Sequence, residues 1–127
     1  INPFEKVIHN ILLLSHQHIH VTIRLNIDKD NFEEKVLKAE KPVLIDFYSD
    51  TCIPCKRMAG PLGEVEDKYE GKLEVYKVNV NFDMELAEQY GVMSAPTLVV
   101  FVNGEEKARH KGAAGKAEIE ALFTEVI

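Results

Sequence analysis

Cys52 and Cys55 are the only cysteines in the chain, and Ile53 and Pro54 stand between them. A dithiol at this spacing supports two chemistries. One is thiol-disulfide exchange, in which one thiolate opens a disulfide and the second resolves the mixed disulfide; the other is half of a zinc site. The preceding residues favour exchange. Val43 to Tyr48 form a nearly continuous apolar run, as expected of a central strand covered on both faces, and Ser49-Asp50-Thr51 breaks that run before a helical pattern begins. A dithiol at such a junction lies at a helix N-terminus, where free amides and the helix dipole favour a thiolate. Cys52 is therefore expected to be exposed and to attack, with Cys55 held one turn in to resolve. Zinc would need two further ligands, and no second C-x-x-C or H-x-x-x-H follows. Only a fold-back of the histidine-bearing first twenty residues could supply them, and no metal is expected.

Resolution requires Cys55 to lose its proton, and Asp46 is the candidate base. A carboxylate inside an apolar strand is costly to ionise, so burial should raise its pKa toward the range a general base needs. The alternatives are that Asp46 faces solvent on an edge strand, or only balances Lys77.

The elements that must position these groups can be read from periodicity. Val21, Ile23 and Leu25 alternate with polar residues as a half-buried strand, and Asp30 with Glu33 reads as a capping box opening a helix that carries Phe32, Val36 and Leu37. Lys41-Pro42 ends it before the Val43 strand. Met58, Leu62, Val65 and Tyr69 recur at helical spacing after the cysteines, with a kink expected at Gly60-Pro61 and a stop at Gly71. Leu73, Val75, Val78 and Val80 mark the next strand, and Met84 to Tyr90 a short helix stopped by Gly91. Thr97 to Val102 is a strand turning at Asn103-Gly104 into an antiparallel partner, and a terminal helix from about Lys116 carries Ile119, Leu122, Phe123 and Val126. The order predicts an α/β domain over residues 21–127 with a mixed sheet.

Residues 1–20 read as an appended leader, native or added. Asn2-Pro3-Phe4-Glu5 opens a helix with an apolar stripe of Phe4, Val7, Ile8, Ile11 and Leu12, followed by an extended segment in which His16, His18 and His20 alternate, a possible zinc or nickel site. The stripe must pack on the sheet edge or on a second molecule, so a monomer or a weak homodimer through the leader is expected.

Composition narrows the functional class. With 127 residues the chain fits one domain, and 46% apolar and 28% charged residues are ordinary for a globular protein. A net charge of −6 argues against a nucleic-acid or anionic-membrane partner, which would need a basic face. No apolar run approaches the ~20 residues of a membrane span, and no signal-peptide pattern is visible. Two cysteines confined to one motif suit a reducing compartment, and a cytoplasmic location is expected.

At this point the residues from Val21 to Ile127 resemble the thioredoxin family. Phe47-Tyr48-Ser49-Asp50-Thr51-Cys52-Ile53-Pro54-Cys55-Lys56 is similar to the family's active-site segment, Ala95-Pro96-Thr97 to the loop holding a cis proline beside the dithiol, Asp46 and Lys77 to its buried aspartate and paired lysine, and Gly112 to a glycine of its substrate groove. The resemblance implies a thioredoxin fold, a central mixed sheet with helices on both faces, and reduction of protein disulfides. It implies no bound cofactor, only a redox-active Cys52-Cys55 disulfide. A groove for an extended substrate would be lined by Thr51, Ile53, Pro54, Val80, Ala95, Pro96 and Gly112. The implied partners are thioredoxin reductase and disulfide-bearing proteins such as peroxiredoxins, methionine sulfoxide reductases or ribonucleotide reductase. The sequence departs from the family pattern where Ile53 replaces a glycine, where Tyr48 and Thr51 replace tryptophans, and where the helix proline comes one residue later, at Pro61. Two other functions remain open: a more oxidising disulfide oxidase or isomerase outside the cytosol, or a binding module assembled through the leader helix.

Overall fold

The computed structural model describes residues 25–127. The expectations for the leader, its helix, its histidines and the first part of the Val21 strand fall on residues 1–24 and lie outside the described residues.

Five strands form one sheet in the order β1-β3-β2-β4-β5, comprising β1 (Leu25–Asn26), β2 (Val43–Tyr48), β3 (Glu74–Asn79), β4 (Thr97–Val102) and β5 (Glu105–Lys111). β1, β3 and β2 run parallel, while β4 is antiparallel to both β2 and β5. The mixed sheet expected from the element order is therefore present, and β2 lies at its centre. The last two strands join at Asn103-Gly104, where both residues have positive φ (52° and 81°), the geometry of a tight hairpin turn.

Alternation along the strands divides the core into two layers. Val43, Ile45 and Phe47 of β2 and Val99 and Phe101 of β4 face one side, with Phe32, Val36, Leu86 and Ala87. Leu44 of β2 and Leu98 and Val100 of β4 face the other, with Met58, Leu62, Val65, Ile119 and Phe123. The helices are α1 (Glu33–Leu37) and α3 (Met84–Gln89) on the first face, and α2 (Ile53–Lys68) and α4 (Lys116–Ala121) on the second. Helices thus cover both faces.

Two sequence expectations are corrected. The Asp30-Glu33 capping box does not form: the helix begins after Phe32 with no side-chain cap, and the turn before it is braced by Asp28, whose carboxylate accepts the Asp30 and Asn31 amides at 2.9 and 3.1 Å, while Asn31 accepts the Asp28 amide at 2.9 Å. The helix that follows is wound wide, with the Lys38 amide reaching the Glu33 carbonyl five residues back. The terminal helix is also shorter than its apolar stripe. After Ala121 it tightens into turns in which Leu122 and Phe123 donate to carbonyls three residues back, which still buries Phe123 against the Tyr69 ring at 4.9 Å. α2, in contrast, runs continuously through Gly60-Pro61.

Candidate active site

The site is assembled at the end of the sheet where β2 and β3 finish and β4 begins. β2 ends at Tyr48, Ser49 accepts the Cys52 amide at 3.3 Å to make a turn, and Cys52 becomes the N-cap of α2 with extended backbone (φ −83°, ψ 106°). Its sulfur accepts the amide N–H of Cys55 at 3.1 Å, one of the donors that a helix N-terminus leaves free. Pro54 sits in the first turn, where its missing N–H is not needed. Cys55 begins the buried stripe of α2 that continues through Met58, Leu62 and Val65.

The two sulfurs are joined in a disulfide, with Cα atoms 5.2 Å apart. This corrects the expected contrast in exposure, since Cys52 at 9% and Cys55 at 8% are equally shielded. Ile53, by comparison, stands 61% exposed between them, and Thr51 and Pro54 are exposed beside it.

Asp46 is 7% exposed on the central strand, which rules out the solvent-facing alternative. It follows Leu44 on the face turned toward α2, so the strand that presents it also aims it beneath the dithiol. Asp46 and Cys55 line one recess of about 210 Å³ together with Tyr48, Ser49, Asp50, Lys56, Ala59 and Lys77. Lys77 is the β3 residue in register with Asp46, and its ammonium lies 5.4 Å from the centre of the Tyr48 ring.

The third segment comes from the far side of the sheet. The Ala95-Pro96 peptide is cis, Pro96 is buried, and its carbonyl accepts the Gly112 amide at 2.8 Å, so the two sequence-predicted positions meet across the start of β4 and the end of β5. Gly112 has φ +89°, a conformation side-chain-bearing residues rarely adopt. Thr97, 1% exposed, anchors the same loop by donating its hydroxyl to the Ser94 carbonyl at 2.8 Å. Of the remaining expected groove residues, Val80 and Ala95 line a common groove with Ser49, whereas Thr51, Ile53 and Pro54 project outside it.

Three residues of this region were not anticipated. Asn79, 4% exposed at the end of β3, donates to Asp50 at 3.2 Å and accepts the Asn81 amide at 2.9 Å, tying the dithiol loop to the next strand. Arg109 of β5 donates to the carbonyls of Tyr90 and Gly91 at 2.5 and 3.3 Å, closing α3 just before the loop that leads to Pro96. Met93 is 97% exposed in that loop. Nothing in hydrophobic periodicity marks a polar strand end, a distant cap or a solvent-facing methionine.

A disulfide at a helix N-terminus, above a buried carboxylate, can be opened by a thiolate, and the dithiol so formed can attack the disulfide of another protein. Metal chemistry finds no matching arrangement, since among the described residues no group of three or more His, Cys, Asp or Glu side chains is placed to hold an ion. Nor is any described helix long and apolar enough to cross a membrane.

Residues 23–125 match the family profile described as Thioredoxin. The chain is 40% identical over 99 residues to a thioredoxin of Pseudomonas aeruginosa, covering 78% of this chain and 92% of that protein. The same identity and coverage hold for a thioredoxin of Acidithiobacillus ferridurans. Against a thioredoxin of Streptomyces clavuligerus it is 43% identical over 94 residues, 74% of this chain and 87% of the relative. With the fold, the helix-terminal disulfide and these likenesses in agreement, the chain belongs to the thioredoxin family and is a protein thiol-disulfide oxidoreductase acting through Cys52 and Cys55.

Proposed function

We propose that the protein works in the reductive direction, as an electron donor that takes electrons from a thioredoxin reductase and passes them to disulfides of other proteins in the cytoplasm. The observation that carries this reading is that Cys52 has the support of a helix N-terminus but no charged residue between the two sulfurs to add to it. The Cys52 sulfur receives the Cys55 amide, and the two residues between the sulfurs are an isoleucine and a proline, neither of them charged and one lacking an N–H. A dithiol whose thiolate is only modestly stabilised holds its electrons weakly, so the disulfide form is favoured and the reduced form is a good donor.

In the reaction, the Cys52 thiolate attacks one sulfur of the substrate disulfide, forming a mixed disulfide and releasing the first substrate thiolate, which takes a proton from water. Asp46 accepts the proton of Cys55 through the shared recess, the Cys55 thiolate attacks the Cys52 sulfur, and the second substrate thiolate leaves. The substrate is reduced by two electrons and the pair returns to the disulfide. Lys77 tempers the charge of Asp46 from the neighbouring strand. Thr51, Ile53, Pro54, Val80, Ala95, Pro96 and Gly112 form the contact surface, with the Ala95 backbone pairing to an extended substrate strand.

Equilibration of the purified protein with glutathione redox buffers tests the direction. A potential near roughly −270 mV, the value typical of thioredoxins, is expected, and one near about −180 mV or higher would instead make the protein an oxidase or isomerase.

A further inference from the structure

Between the dithiol and α3 runs a groove of about 470 Å³. One end is made by Ser49 and Ala95, which belong to the loop before Cys52 and to the cis peptide. Val80, Ala87, Val92, Met84, Glu88 and Met93 also line it. Its floor is apolar, and two thioethers stand on it facing water, Met84 at 62% and Met93 at 97% exposure. Among the described residues the large apolar side chains left exposed are Ile53, Phe82, Met84, Met93 and Ile127. All but the last lie in segments that leave or reach the sheet at its dithiol end, after β2, after β3 or before β4. Exposed apolar residues grouped beside a reactive disulfide mark a surface that another molecule covers.

We propose that Met84 and Met93 are specificity-determining residues, gripping an extended substrate segment that has an apolar residue next to its target cysteine and a basic residue beyond it. This rests on the disulfide exchange assigned above. The groove reaches Ser49 of the loop before Cys52 and Ala95 of the cis peptide, so a segment held at Cys52 has this surface beside it. Methionine is unbranched and polarisable, and two of them accommodate apolar side chains of varied shape. Glu88 supplies a negative charge at the α3 wall of a protein whose net charge is −6, which complements a basic substrate residue and repels an acidic one. Ser49, Ser94 and Asn81 offer polar groups along the same walls for an extended backbone.

The test compares two disulfide peptides of equal length, one carrying leucine beside the cysteine and lysine two residues on, the other serine and glutamate at those places. The wild-type protein should favour the first in kcat/KM by about tenfold, the scale on which an apolar pocket discriminates. In Met84→Ser/Met93→Ser that ratio should collapse toward one through KM, and Glu88→Lys should move the charge preference toward the acidic peptide. A route without mutation treats the disulfide form with peroxide, which transfers one oxygen to each exposed thioether, giving two sulfoxides and water while Met58, 1% exposed, is spared. After the oxidant is removed and the dithiol reduced, the same collapse of the ratio is expected. A ratio that survives both treatments, or a wild-type protein that reduces both peptides equally well, overturns the proposal while leaving the oxidoreductase assignment intact. Failure to reduce either peptide would strike the assignment itself. A groove covered by a second copy would appear as a doubled mass in sedimentation that Met93→Ser returns to monomer, and that too would overturn it.

Discussion

Asn79 at the end of β3 donates its side-chain amide to the carboxylate of Asp50, two residues before Cys52, at 3.2 Å. The same side chain accepts the Asn81 amide, so one buried group fixes the loops that follow two adjacent parallel strands. Asn79→Ala should cost about 1–2 kcal/mol, because both bonds go and the Asn81 amide is left under-satisfied. Asp50→Ala, which removes one bond from an exposed residue, should cost less than about 1 kcal/mol. Urea midpoints of the two variants check the order.

Asp46 lies beneath the dithiol in the recess it shares with Cys55. In its proposed role as the base for the resolving step it should be worth about a hundredfold in turnover, the lower end of general-base contributions. Asp46→Asn keeps the shape and removes the base. Single-turnover kinetics should therefore show mixed disulfide accumulating, with initial attack by Cys52 much less affected.

Gly104 tolerates no side chain. Its φ is +81°, and a Cβ there would stand 2.9 Å from the Leu37 carbonyl oxygen, so Gly104→Ala combines left-handed strain with a backbone clash and should cost about 2 kcal/mol or more. Gly63, inside α2 with nothing within 4 Å of a built Cβ, is the opposite case. Gly63→Ala should gain about 0.5–1 kcal/mol from helix propensity, read as a rise in thermal midpoint.

Glu120 clasps α4 to the end of α2, accepting the Tyr69 hydroxyl at 2.6 Å and the Lys68 ammonium at 2.9 Å. The Tyr69 bond first, and then Lys68, hold its carboxyl below the ordinary glutamate range. Folding therefore favours the ionised form, so the clasp contributes above the unfolded glutamate pKa and is lost as pH falls through the lower folded value. Lys68 is raised, chiefly by its bond to Glu120, and its share persists until pH climbs through its own folded pKa. The stability gap between wild type and Glu120→Gln should be open at neutral pH and close on acidification, as denaturant midpoints across pH would show.

Much of this architecture is written in period and punctuation. The β2 run reads as a covered central strand because both its faces are buried, and Asn103-Gly104 reads as a hairpin because few other pairs take positive φ twice. The disulfide pair Cys52-Cys55 was legible because chemistry restricts residue choice there, and the burial of Asp46 because apolar residues flank it on the strand. Legibility ends where tertiary contacts decide. Asp30 reads as a cap in sequence, yet the chain before the helix is held instead by the Asp28 turn and by Asp83, which accepts the Lys29 amide at 2.6 Å. The wide turn of α1 carries no sequence signature, and neither does the shielding of Cys52. Asn79, Met93 and Arg109 act across strands and loops far apart in sequence, so no local pattern announces them.

In the proposed reaction Cys52 attacks and Cys55 resolves. Its most direct test is the mass of the covalent species formed when Cys55→Ser is reduced and mixed with an excess of a disulfide-linked protein such as insulin. A stable one-to-one mixed disulfide through Cys52, absent in Cys52→Ser and never accumulating in the wild type, is the expected result. Linkage through Cys55 in the Cys52→Ser variant at a comparable rate, or no adduct in either variant, would contradict it.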